Sequence, residues 1–133
     1  MGNVIKMSEA ASLALHAVAI MARKRDELTS VKEIADTLNV SHNHLSKVLQ
    51  RLVKEGLVVS IKGFHGGFKL AKNPDEISAL EVFEMFDGKF CPSNCLLHKK
   101  ECDYNCAMRE FVVTMNEQVK EFLKNTKLSE FFK

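Results

Sequence analysis

Residues 41–56 read Ser41-His42-Asn43-His44-Leu45-Ser46-Lys47-Val48-Leu49-Gln50-Arg51-Leu52-Val53-Lys54-Glu55-Gly56, and their periodicity decides the fold. Leu45, Val48, Leu49 and Leu52 fall at i, i+3, i+4 and i+7, one helical face that must be buried. Ser41 offers an N-cap oxygen, and Gly56 stops the helix near Glu55. The opposite face then carries Asn43, Ser46, Lys47, Gln50 and Lys54. Asn and Gln present a paired donor and acceptor that fits adenine in the major groove, and Lys reaches guanine or phosphate. This face therefore has the chemistry of a recognition helix, with Ser41, His42 and His44 at its start and Arg51 beside Lys54 as further candidate DNA contacts. A merely solvated face carries similar residues, so the neighbouring segments must decide.

Upstream, Ser30 followed by Glu33 has the form of a capping box, opening a short helix with Val31, Ile34, Ala35 and Leu38 on its apolar face. Only Asn39-Val40 separates it from Ser41, the short connection of a helix-turn-helix. Further back, the segment from Ser8 to Arg25 is apolar nearly all round (Ala11, Leu13, Ala14, Leu15, Ala17, Val18, Ile20, Met21), which predicts a helix buried between other elements. Downstream, the β-branched run Leu57-Val58-Val59-Ser60-Ile61-Lys62 and the run Phe68-Lys69-Leu70-Ala71 flank Gly63-Phe64-His65-Gly66-Gly67, which predicts a hairpin with a glycine-rich tip. Gly63, Gly66 and Gly67 would let backbone approach a phosphate or a minor groove, with Lys62, His65 and Lys69 as donors beside them. Phe64 is expected to pack rather than to intercalate.

Asn73-Pro74 ends the hairpin, and Ser78 with Glu81 caps a short helix through Phe86 that presents Leu80, Val82, Phe83 and Phe86. A last helix from about Cys106 to Asn125 aligns Phe111, Met115, Val119 and Phe122, widened by Val112 and Leu123. At roughly 30 Å it exceeds what a three-helix head needs, and pairing with a second copy is the expected use. The expected fold is mostly α with a small β-hairpin wing. It comprises a winged helix-turn-helix domain over residues 1–86, a cysteine-bearing sensor loop over 87–105, and a long C-terminal dimerisation helix with its tail over 106–133.

Composition agrees with a globular chain, 46% apolar and 27% charged over 133 residues. The net charge of +2 hides an asymmetry. Residues 1 to 73 hold eleven Lys/Arg against six Asp/Glu, a net of +5, and residues 74 to 133 hold eight against eleven, a net of −3. The basic half is the candidate for polyanion contact. The longest apolar stretch, Leu13 to Ala22, is too short for a membrane span, and the first residues do not form a secretory leader, so a cytoplasmic location and no membrane partner are expected. No nucleophile with an adjacent base, phosphate loop or paired carboxylates stands out, so an enzyme is not expected.

All four cysteines lie between Cys91 and Cys106, spaced C-x3-C-x6-C-x3-C. In a cytosolic chain such clustering points to metal or redox chemistry, because soft thiolates at this spacing can converge on zinc or an iron–sulfur cluster. Unpaired apolar cysteines are the alternative, but the surrounding Pro92, Asn94, Lys99, Lys100 and Asp103 do not read as core.

Together these segments resemble the Rrf-type regulators, the family of IscR-, NsrR- and CymR-like proteins. The resemblance is carried by Ala14-Leu15-His16-Ala17, by Val40-Ser41-His42-Asn43-His44-Leu45-Ser46-Lys47-Val48-Leu49, and by Lys62-Gly63-Phe64-His65-Gly66-Gly67-Phe68-Lys69-Leu70-Ala71 followed by Ile77. It implies a homodimer on a double-stranded DNA operator, a repressor whose affinity is modulated by an iron–sulfur cluster. It also implies that Cys95, Cys102 and Cys106 are the cluster ligands and that Cys91 is an extra thiol. Relatives commonly have Arg where Lys62 stands, and some have a ligating His where this chain has Arg109. Others recruit the partner's first helix, whose counterparts here are Ser12 and His16, with Glu9 a turn away. His16 is thus a candidate metal ligand, and His98 is an in-loop alternative; a satisfied core residue is the other reading of His16. Two further readings stay open: a zinc-bound or thiol-redox regulator of the same fold, and an interaction module that has lost DNA binding.

Overall fold

The computed structural model describes residues 5–97, 99, 102 and 104–132. Helix α1 (Glu9–Lys24) starts at an N-cap Ser8, whose hydroxyl accepts from the Ala11 amide at 3.0 Å. Its small residues Ala11, Ala14, Ala17, Ala19 and Ala22 are buried, so neighbours approach it closely on most of its circumference, with Ser12, His16 and Ile20 half-buried along the remaining side. Helix α2 (Val31–Leu38), helix α3 (His42–Lys54), helix α4 (Ala79–Asp87), strand β2 (Gly67–Leu70) and a C-terminal 3-10 turn (Leu128–Glu130) all pack against it.

The turn between α2 and α3 is set by local chemistry. Asn39 takes the left-handed conformation at φ 55°, which Asn tolerates, and the Val40 amide returns to the Ala35 carbonyl. Ser41 caps α3 by accepting from the His44 amide at 3.3 Å. Leu45, Val48, Leu49 and Leu52 are buried as their spacing requires. The capping box expected at Ser30 forms only by half. Ser30 caps the Glu33 amide, but the Glu33 carboxylate turns away to Lys24 at 2.7 Å. That hydrogen bond raises the Lys24 pKa and lowers that of Glu33, pinning the end of α1 to α2 at the surface. At Ser78 and Glu81 the box is complete.

Strand β1 (Val58–Ile61) pairs antiparallel with β2, Val58 opposite Leu70 and Ile61 opposite Gly67. The hairpin does not stand alone. Thr29, before α2, exchanges both backbone hydrogen bonds with Phe68 at 2.9 Å and so acts as a third short strand. This contact binds the wing to the helical head.

Helix α5 (Ala107–Asn125) follows the cysteine loop and packs on α4. The sequence reading left its apolar stripe without a partner in the head. The structure corrects this for one side of the stripe: Leu123 is buried and Val119 packs against the core, whereas Phe111 and Phe122 are 57% and 65% exposed. The tail also belongs with the head. Ala79 donates to the Thr126 carbonyl and Leu128 to the Ile77 carbonyl, which puts Leu128 in the core and brings Phe131 and Phe132 onto α1. Among the described residues no helix is long and apolar enough to cross a membrane.

Candidate nucleic-acid interface and thiol cavity

The buried stripe of α3 fixes which residues face out. His42, Asn43, Lys47, Gln50 and Lys54 are exposed, and His44 and Ser46 are half-buried beside them. Two histidines at the start of the helix lie near carboxylates, His42 Nε2 at 3.4 Å from Asp36 and His44 Nδ1 at 3.7 Å from Glu9. Arg51 does not join this face. Its Nη2 donates to the Met85 carbonyl at 2.7 Å, its Nε to Glu55 at 3.1 Å, and its guanidinium lies 5.6 Å from the Phe86 ring centroid. The planar fork is used to hold α4 against α3, which a DNA-contact assignment from helical position overlooks. Arg51→Ala should lower stability in urea unfolding by about 1 kcal/mol, and Arg51→Lys should recover little of it. Full stability in the alanine variant would remove this role.

On the wing, Lys62 and His65 are exposed, and Lys69 is half-buried opposite Val59. Gly63, at φ +114°, has open space where a side chain would stand. The other two glycines have internal reasons for being glycine. A Cβ on Gly66 would run into the Ile61 carbonyl, and one on Gly67 would press on the Thr29 carbonyl at 3.0 Å. Packing within the hairpin is by itself sufficient reason for glycine at these two positions. Phe64, expected to pack, is 97% exposed, because the tip projects beyond the head and offers it nothing to pack against except His65.

The first part of the cysteine loop is tied to the helices on either side of it. The Phe90 amide donates to Glu84 at 2.7 Å, and Asn116 on α5 donates to the Ser93 carbonyl and to the Asn94 side chain. The Ser93 hydroxyl accepts from the Cys95 amide and donates to the Cys95 carbonyl, closing a tight loop. Cys95, Cys102 and Cys106 line one cavity of about 560 Å³, together with Leu96, Leu97, Lys99, Tyr104, Met108 and Arg109. Cys91 lies elsewhere, in a depression with Lys6, Phe83, Asp87 and Phe90. The chain thus separates three thiols from the fourth. Cys106 is also the N-cap residue of α5, so loop and helix meet at the cavity.

The three thiols share a cavity rather than a closed cage. Among the described residues, no three His, Cys, Asp or Glu side chains are grouped tightly enough to hold an ion. Three soft donors lining one largely apolar cavity have the chemistry of thiolate ligands, and a metal centre there would need them to draw closer together and a further ligand from outside the loop. His98 falls outside the described residues. His16 is half-buried, with Nδ1 2.6 Å from the Ser12 carbonyl and its ring edge-on to Phe131. These contacts match its reading as a satisfied helix residue. Sequence reasoning missed Leu96, Leu97 and Tyr104 as cavity walls, although an apolar pair inside a polar loop was the available signal.

Comparison with known proteins places this geometry. Residues 7–133 match the family model Rrf2, described as "Iron-dependent Transcriptional regulator". The HTH-type transcriptional regulator CymR of Bacillus subtilis is 33% identical over 127 residues, covering 95% of this chain and 88% of that protein. The HTH-type transcriptional regulator NsrR of Shouchella clausii is 50% identical over 86 residues, covering 64% of this chain and 58% of that protein. The solved structure of CymR, the global cysteine regulator of B. subtilis, superposes with a TM-score of 0.81 at 31% identity, covering 96% of this chain and 95% of that one. These relatives are transcriptional regulators and not enzymes. With its winged helix-turn-helix fold and a family match along nearly its whole length, the chain belongs to the Rrf2 family of transcriptional regulators.

Proposed function

We infer that this regulator acts as a homodimeric repressor whose operator affinity is set by an iron–sulfur cluster held at Cys95, Cys102 and Cys106. The observation that carries this reading is the single cavity lined by those three thiols at the foot of α5. The family model's description as iron-dependent supports it. When bound, the cluster supplies a redox- and ligand-sensitive iron centre. The chain's own residues would hold it by three sulfurs, shield it with Leu96, Leu97 and Met108, and balance its negative charge with Lys99 and Arg109. Dimerisation through α5 is supported by the exposure of Met108, Phe111 and Phe122 on one long helix. Cytoplasmic action on double-stranded DNA completes the reading.

A zinc-bound or thiol-redox regulator is favoured by the same three sulfurs, since zinc also accepts them. Protein purified without oxygen separates the two. Visible absorption with iron and sulfide present marks the cluster, whereas a colourless protein with one zinc per chain marks the alternative. Absence of salt-sensitive binding to any duplex selected from a random pool would leave only an interaction module without DNA binding.

The two parts of the DNA-binding unit should behave differently. Alanine at Asn43 or Lys47 should change sequence preference, because these side chains lie where base edges would be read. Alanine at Lys62 or Lys69 should weaken all sequences alike and lower the salt slope by about one per lost phosphate contact. Titrations at several salt concentrations on selected and scrambled duplexes measure both effects. Equal loss of specificity from the two pairs would contradict this division.

A further inference from the structure

Phe64 is the most exposed large apolar side chain among the described residues, and it sits in a hydrogen-bonded turn. The Gly66 amide donates to the Gly63 carbonyl at 3.0 Å, closing a tight turn with Phe64 and His65 at its two corners. A side chain on Gly66 would run into the Ile61 carbonyl, so the turn closes tightly there, and β2 is bonded to Thr29, which ties the hairpin to the head. An aromatic ring is therefore presented to water at the tip of a hydrogen-bonded hairpin. The surrounding charge has one sign: residues 58–72 contain Lys62, Lys69 and Lys72 and no Asp or Glu. An apolar tip on an acid-free basic ribbon fits a polyanion with a hydrophobic interior, which is the chemistry of duplex DNA, better than it fits a protein surface.

We propose that Phe64 is an apolar wedge that enters the DNA minor groove and makes the regulator favour a deformable pyrimidine–purine step beneath the wing. This rests on the DNA-binding reading above. The lysines draw the hairpin onto the phosphates, and the ring displaces water from the groove and presses on a base step. Pyrimidine–purine steps unstack most easily, so the ring produces sequence preference without reading a base edge. Sequence reading favoured a packing role because an aromatic residue usually buries itself; the projecting turn removes that option.

The test uses intact wild-type protein and the variants Phe64→Ala, Phe64→Leu and Lys62→Ala. Each selects duplexes from a 40-base-pair random pool, and the winners are titrated by fluorescence anisotropy. Wild type should enrich TA or CA steps at a fixed distance from the recognition half-site. Phe64→Ala should keep the half-site but lose the step. It should bind the step-containing duplex about tenfold more weakly, the value of roughly 1.4 kcal/mol of buried apolar surface, with the salt slope unchanged. Phe64→Leu should fall between, and Lys62→Ala should lower the slope while keeping the step. Phe64→Ala matching wild type in affinity and step preference would overturn the wedge while leaving DNA binding intact. If Phe64→Ala instead changed only the sedimentation of the protein, the ring would belong to a protein contact and the proposal would also fall. No salt-dependent binding by wild type would remove the DNA reading and the wedge together.

Discussion

Replacing Phe111 and Phe122 together with Glu should convert the protein to a monomer in sedimentation and weaken operator binding by roughly 10² to 10⁴-fold, the range gained when two linked sites bind one duplex. The choice of residues follows from burial. On α5 the sequence stripe offers Met115 and Val119 as well, but Val119 packs against the core and Met115 is half-buried. A charge at Val119 would damage the head itself and confuse unfolding with dissociation. Phe111 and Phe122 are more than half exposed and make no comparable contribution to the monomer. Their removal should therefore leave the unfolding midpoint of the head nearly unchanged at concentrations where the variant is monomeric. A double variant that remains dimeric, or that dissociates while binding operator at full affinity, would remove α5 as the assembly element.

Serine at Cys102 or Cys106 should abolish metal uptake, with loss of visible absorption in anaerobic protein, and should shift operator affinity by about tenfold for each 1.4 kcal/mol of coupling between the two sites. The mechanism lies in the connections. The loop that carries the thiols is tied to α4 through Phe90 and Glu84 and to α5 through Asn116, and Cys106 begins α5. A centre held by Cys95, Cys102 and Cys106 would order the segment between the winged head and α5, the helix that in the proposed dimer would set the spacing of two heads. Such a centre moves the equilibrium only by its differential affinity for the two arrangements, so a small coupling suffices. Serine at Cys91 should do much less, because Cys91 lies in a separate depression beside Phe83 and Phe90. Equal effects of all four substitutions would show that the cavity does not divide the thiols by role. Wild type that takes up neither iron nor zinc, and whose DNA affinity ignores thiol oxidation, would leave the cysteines without a sensor function.

The candidate DNA face was legible because its determinants are periodic and local. A helix with Leu45, Val48, Leu49 and Leu52 inside has no choice about where Asn43, Lys47 and Gln50 point. The clustering of four cysteines within sixteen residues was legible as spacing along the chain, but which of them line one cavity was not, because a loop of that length can extend much further than a metal site spans. Arg51 shows where such reasoning stops. Helical position puts it at the edge of the outer face, but a carbonyl thirty-four residues away, at Met85, captures its guanidinium.

By itself the sequence determined the caps at Ser41 and Ser78, the break at Gly56, the hairpin, and the buried stripe of α3, because these depend on interactions within a few residues of chain. Tertiary structure alone decided that Thr29 would brace the wing, that glycine is required at 66 and 67 by neighbouring backbone, and that the tail would return to α1. It also decided that Phe64 would be left in water and that Cys91 would stand apart from the other three thiols. The physical reason is common to all of them: each depends on which distant backbone or side chain occupies the adjoining space, and no periodicity along the chain encodes that.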